Sequence, residues 1–113
     1  MATRYYISLP DPPRARGGTE FSFKSQGAEG FAQELQDALR SATLFERWRA
    51  MQDDPDGVDP ALGATDATAS VKGEQHDLHV DLIATTSISG SVFKHRLRLL
   101  AGSAWELRDV SAA

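Results

Sequence analysis

Between residues 28 and 42 the apolar positions recur every three or four residues. Ala28, Phe31, Ala32, Leu35, Ala38, Leu39 and Ala42 share one arc of roughly 120° when each residue turns the chain by about 100°. Glu29, Gln33, Glu34, Gln36, Asp37, Arg40 and Ser41 fall outside that arc. The spacing predicts an amphipathic helix with one buried stripe. Beyond residue 42 the phase breaks, because continued in register Leu44, Trp48 and Met51 would face water while Glu46 and Arg49 entered the core. Thr43-Leu44-Phe45-Glu46 also fits a capping box, in which the Thr and Glu side chains satisfy each other's backbone donors. A second helix is therefore predicted from Leu44 to about Gln52, burying Leu44, Phe45, Trp48 and Met51.

The other segments read as strands and loops. RYYISL (Arg4 to Leu9) is rich in aromatic and β-branched residues and is halted by Pro10, which predicts a strand. PDPPRARGGT (Pro10 to Thr19) follows as a flexible loop, residues 10–19. Phe21 to Phe23 is expected as the return arm of a long hairpin. Asp53 to Asp66 is an acidic stretch with two prolines and two glycines, expected as a second flexible loop.

From Ala67 onward the pattern alternates. With turns at Glu74-Gln75 and Ser89-Gly90 and a loop at Ala101-Gly102-Ser103, Val71 faces Leu78, Leu82 faces Leu97 and Leu97 faces Leu107. On the opposite face Lys72 meets Asp77, and Arg98 meets Asp81 and Glu106. A slip of one residue would destroy both patterns. The expectation is a four-stranded antiparallel meander near 67–73, 76–86, 92–100 and 104–110. The fold class is thus α+β: a mainly antiparallel sheet with two helices packed on one face, in the order β-β-α-α-β-β-β-β. That order resembles the helix-on-curved-sheet architectures of the cystatin-like and helix-grip folds, without the long carboxy-terminal helix of the latter.

Composition narrows the function classes. The chain has 113 residues, 41% apolar and 25% charged, which suits one globular domain over 1–113 burying roughly 65% of its unfolded surface. It has no cysteine, so thiolate catalysis, disulfides and iron–sulfur clusters are excluded. No apolar run reaches the ~18 residues of a membrane span. MATRYYISLPDPPR has no stretch long enough for a signal-peptide core, and a cytoplasmic protein is expected. The formal net charge of −4 argues against a dedicated nucleic-acid binder. Nine of the twelve basic residues are Arg, which with abundant Ala and Gly suggests a GC-rich bacterial source.

Several short stretches suggest chemistry and then lose it. HDLHVD, His76 to Asp81, holds two histidines and two aspartates. On a strand Asp77, His79 and Asp81 project from one face and His76 from the other, with same-face neighbours roughly 6.6 Å apart. A solvated ionic face therefore explains it better than a metal or acid–base site. In KHRLR (Lys94 to Arg98) alternation turns Lys94, Arg96 and Arg98 outward, but the aromatics that would stack on bases are missing. The arginines of RWR (Arg47 to Arg49) flank Trp48, where their stems would cover apolar surface. If Gly57 were the sixth residue of a calcium loop, positions one and twelve would be Gln52 and Gly63 instead of Asp and Glu. PDPP suits a stiff connector. Phosphate loops, nucleophile elbows and paired metal-binding histidines on a helix are absent, so no catalytic residue, metal ligand or cofactor is assigned.

Three functional expectations follow. The first is a non-catalytic protein-interaction or adaptor module, with another protein or a second copy as partner. Its surface would combine Ile83, Val92, Arg96 and Leu100 on the outer sheet face, an aliphatic and Arg mixture of the kind found in transient interfaces. The second is a small-molecule binder with a pocket between helices and curved sheet, lined by Trp48, Phe93, His95 and Trp105. The third is an enzyme using His95 or His79.

Overall fold

A computed structural model describes residues 2–16 and 18–113. The chain runs β1 (Thr3–Leu9), a single turn α1 (Pro12–Ala15), α2 (Ala28–Arg40), α3 (Thr43–Ala50), two 3-10 turns (Pro55–Gly57 and Pro60–Gly63), β2 (Ser70–His76), β3 (His79–Thr86), α4 (Gly90–Ala101) and β4 (Glu106–Ala112). The four strands form one antiparallel sheet in the order β2-β3-β1-β4. With α2 and α4 as the two crossings, this is the split βαβ connectivity of ferredoxin-like folds, which by itself specifies no function.

The helices lie on one face of the sheet. On β3, Val80, Leu82, Ala84 and Thr86 are buried beneath them, while the alternate residues point the other way. Tyr5, Ile7 and Leu9 of β1 join the same core, which also takes Phe31, Leu35 and Leu39 from α2 and Phe93 and Leu97 from α4. Tyr5 stacks on Phe93 with ring centres 4.2 Å apart, and its hydroxyl donates to the Ile88 carbonyl at 2.9 Å. Among the described residues the largest fully buried side chains include one cation, Arg96.

Helix α2 buries Ala28, Phe31, Ala32, Leu35, Ala38 and Leu39, six of the seven residues its periodicity selects. It presses so closely on β2 that a Cβ added to Gly73 would collide with the Ala28 carbonyl and come 3.2 Å from the Ala32 methyl. The same helix occupies the start of the free edge of β2. Gln36 Oε1 accepts from the Val71 amide at 3.1 Å, and Arg40 Nε donates to the Ala69 carbonyl at 2.7 Å.

The α+β class and the antiparallel sheet are as expected, but the four strands are not those of the expected meander, since β1 lies at the centre of the sheet, and two elements differ. Residues 92–100 are helical. Val92, Phe93, Arg96, Leu97, Leu100 and Ala101 are buried, a helical spacing that replaces the strand of the meander. Phe21–Phe23 is not the return arm of a hairpin: β1 pairs with β3 and β4 instead. Phe23 is buried against Phe31, makes an isolated parallel bridge with Arg16, and donates its amide to the Leu100 carbonyl at 2.9 Å. The observed connectivity therefore differs from the cystatin-like and helix-grip orders.

Smaller corrections follow. The β2–β3 turn lies at Asp77-Leu78 rather than Glu74-Gln75, so Val71 pairs with Ala84 and Gly73 with Leu82. Helix α3 buries Phe45, with Leu44 and Trp48 partly covered, but leaves Met51 63% exposed. The stretch 53–66 contains both 3-10 turns. Asp54 accepts from the Gly57 amide and Asp59 from the Ala61 amide, the side-chain capping that Asp supplies at such starts.

Candidate functional site: the open face of the sheet

Among the described residues no helix lies over the second face of the sheet, and its surface follows from register. Cross-strand pairs place Lys72 beside Ile83, Ile83 beside Tyr6, and Tyr6 beside Asp109. One row therefore crosses all four strands as cation, aliphatic, aromatic, carboxylate. The next row towards the β2–β3 turn holds Glu74, Asp81, Ser8 and Glu106, and the row on the other side holds Ser70, Thr85, Arg4 and Ser111. A bulge in β4 interrupts the pairing between Leu107 and Asp109. Such an extra residue re-aims a side chain, and here it is Arg108, which donates to Glu106 at 2.9 Å.

Sheet twist makes this face a trough. Its main part, about 420 Å³, is lined by Tyr6, Ser8, Glu74, His79, Ile83 and Arg108 among others. A second part of about 290 Å³ shares Tyr6, Glu74 and Ile83 and adds Arg4 and Lys72. Ile83 and Tyr6 at the centre are half-buried, whereas Lys72 and Asp109 at the rims are exposed.

The HDLHVD segment closes one end of the trough. Because the turn is at Asp77-Leu78, His76 and His79 are cross-strand partners on the same face, not on opposite faces as the sequence suggested. Asp77 adopts φ 52° there, a left-handed conformation that Asp tolerates better than most residues. The imidazoles lie 5.3 Å apart and 18° from parallel. His76 Nε2 is 3.2 Å from Glu74 Oε2 and 3.3 Å from Asp81 Oδ2, and His79 Nε2 is 3.5 Å from Asp81 Oδ1. All four side chains are 35–54% exposed. Such contacts contribute little in water, and among the described residues no three His, Asp or Glu groups are arranged to hold a metal ion.

The structure separates the other residues singled out from the sequence. Ile83 lies on the open face, but Val92, Arg96 and Leu100 belong to the buried side of α4, so these four form no common surface. Arg96 is wholly buried. Its guanidinium donates to the Ala38 carbonyl in the last turn of α2, and to the carbonyls of Leu62 and Ala64 at 2.8 and 2.9 Å. Its Nε meets no partner, and burial pushes its pKa down. Arg96 staples the negative end of one helix to the 3-10 segment.

The four aromatic positions expected around a pocket are also dispersed. Phe93 stacks on Tyr5 inside the core. Trp105 is partly buried, and its indole donates to the Gly102 carbonyl at 2.8 Å. Only Trp48 and His95 meet, edge to face at 4.7 Å, and Phe45 completes a triangle of rings, 6.4 Å from the imidazole and 5.9 Å from the indole. His95 Nδ1 is sealed without a hydrogen-bond partner. Burial first, then the charges of Arg96 and Arg98, pull its pKa below the ordinary value.

Tyr6, Ser8, Arg108 and Asp109 line the trough but were not singled out from the sequence. Alternation in RYYISL sends one of its two tyrosines to each face without saying which. Set against known proteins, the chain matches no protein-family model, no curated protein and no solved structure. No helix among the described residues is long and apolar enough to cross a membrane.

Proposed function

We propose that the chain is a non-catalytic protein-interaction module that works through the open face of its sheet. The observation carrying this reading is the uncovered trough, in which Ile83 and Tyr6 form an apolar centre between exposed charged groups on both rims. An apolar centre with a polar rim is the anatomy of a protein interface. The surface has moved from the expected Ile83, Val92, Arg96 and Leu100 set to one centred on Ile83 and Tyr6. A cytoplasmic location goes with this reading, and the bias towards Arg over Lys with abundant Ala and Gly suggests a bacterial source.

A small-molecule reading is kept, because the main trough, at about 420 Å³, reaches the 300–1,000 Å³ range of ligand pockets. Its walls would be Tyr6, Asp81, Ile83 and Arg108 instead of Trp48, Phe93, His95 and Trp105. An enzyme would use His79, whose Nε2 lies 3.5 Å from Asp81 Oδ1 on the open face, in preference to His95, whose Nδ1 is sealed from solvent.

The test is an amide NMR spectrum of labelled protein mixed with cell extract split by molecular weight. The interaction reading expects line broadening at Tyr6, Ile83 and Thr85 with the large fraction, and its disappearance in a folded Ile83→Asp variant. Discrete shifts with the small fraction would replace it by the ligand reading.

A further inference from the structure

Resting on that reading, we infer that the partner of the open face is a second copy of this chain, packed face to face about a two-fold axis. The layout of the central row points to it. Across β2, β3, β1 and β4 it runs Lys72, Ile83, Tyr6, Asp109. Take an axis that lies between two such faces, parallel to the strands and passing between β3 and β1. Rotation about it brings the row over itself in reverse, so each Lys72 opposes the other copy's Asp109 and each Ile83 opposes the other copy's Tyr6. Two symmetric interfaces share one surface, and here that surface is its own complement. The rotation leaves the strands of the two copies aligned, the arrangement in which stacked sheets pack with a twist of about 30°.

The flanking rows test the fit. Towards one end Arg4 opposes Thr85, and Ser70 opposes Ser111. Towards the other, Asp81 opposes Ser8 and Glu74 opposes Glu106. That last pair is like-charged, but Arg108, the extra residue of the β4 bulge, already contacts Glu106 and lies on the same rim. The net charge of −4 per chain works against self-association, so the attraction must come from this local pattern.

The footprint sets the strength. Four strands about 4.8 Å apart and seven residues long cover a rectangle of roughly 19 by 23 Å. This is smaller than the roughly 800 Å² per partner of a standard stable interface. The expected dimer is reversible, with a dissociation constant in the micromolar range.

Sedimentation equilibrium of the whole chain from 10 µM to 1 mM tests this. The expected mass rises from the monomer value of 12.3 kDa towards twice that figure. Lys72→Asp and Asp109→Lys should each weaken the dimer at least tenfold, since each places like charges opposite one another twice. The combined Lys72→Asp, Asp109→Lys variant should restore association. Both positions are exposed, and circular dichroism of each variant checks that it folds. A wild-type chain that stays monomeric at 1 mM overturns the inference, as does a combined variant no better than its parents, or a dimer indifferent to all three. If the chain is monomeric but its Tyr6 and Ile83 signals still broaden with large extract components, the second copy is wrong and the open-face reading stands. A monomer without such broadening removes both.

Discussion

Replacing Arg96 by Met keeps the unbranched stem and its helix propensity but deletes the guanidinium. In the folded chain that group donates to three backbone carbonyls, at Ala38, Leu62 and Ala64, and among the described residues it meets no carboxylate. Hydrogen bonds from a charged donor contribute about 1.5–3 kcal/mol each, so three would supply several kcal/mol. Against this stands the cost of burying the cation, also several kcal/mol, which the substitution relieves. The carbonyls of Leu62 and Ala64 sit on a surface segment and can recover water, whereas Ala38 is buried. The net expectation is a loss of about 2–4 kcal/mol, which a domain of ordinary stability survives at 25 °C. Urea denaturation followed by tryptophan fluorescence would measure the loss. Hydrogen exchange should show protection falling first at residues 60–66 and in the last turn of α2. Arg96→Lys, whose ammonium cannot reach all three carbonyls at once, should fall between wild type and Met. A loss below about 0.5 kcal/mol, or protection lost evenly across the sheet, would refute the stapling role.

Two further outcomes are expected. Gly73→Ala should destabilise the domain by roughly 1–3 kcal/mol through overpacking, since its methyl would meet the Ala28 carbonyl; an unchanged urea midpoint would mean that α2 does not press on β2 as described. Asp66 accepts from Thr68, Thr86 and the Ser87 amide, and the Thr68 hydroxyl foremost, with these backbone amides, holds its carboxyl well below the usual range. That contribution is complete above the unfolded-state pKa of about 3.9 and is lost as pH falls towards the depressed folded value. The stability gap between wild type and Asp66→Asn should therefore be full near pH 6–7, begin to narrow below about pH 4 and close only as pH falls through the depressed folded-state value; a gap unchanged between pH 7 and the lowest pH at which the domain stays folded would count against it.

Helix α2 was legible because nearly its whole apolar stripe is alanine, leucine and phenylalanine with no intruder. Helix α4 was not, and one residue explains why. Its buried stripe passes through Arg96, which in a sequence counts as polar, so the helical period breaks and the alternation of Phe93, His95, Leu97 and Leu99 takes its place. What makes Arg96 acceptable inside is the end of α2 and the 60–64 segment, partners far away in sequence. The same error scattered the proposed surface: Ile83, placed by alternation within a true strand, stayed on the open face, while the three residues assigned from 92–100 went to the core. The histidine pair was missed because Asp77-Leu78 lacks the Gly that usually marks a two-residue hairpin turn, leaving Asp77 as its one local signal. Met51 was expected inside because its spacing suits the α3 stripe, but α3 ends at Ala50.

The central position of β1 has a consequence for how the molecule comes into being. Its first strand is the one the sheet is built around, yet both neighbours lie far downstream: Tyr6 pairs with Ile83 on one side and Asp109 on the other. Loop closure of that length must precede any reward from pairing, which places folding towards the slow, non-local end for small domains. During synthesis Tyr5, Ile7 and Leu9 wait for their strand partners until residues 79–86 and then 106–112 have been made. Through that interval β1 has two open edges, and α2, the best-formed helix by local sequence, has no sheet to bury its stripe. The folded domain depends on its last seven-residue strand to seal its first.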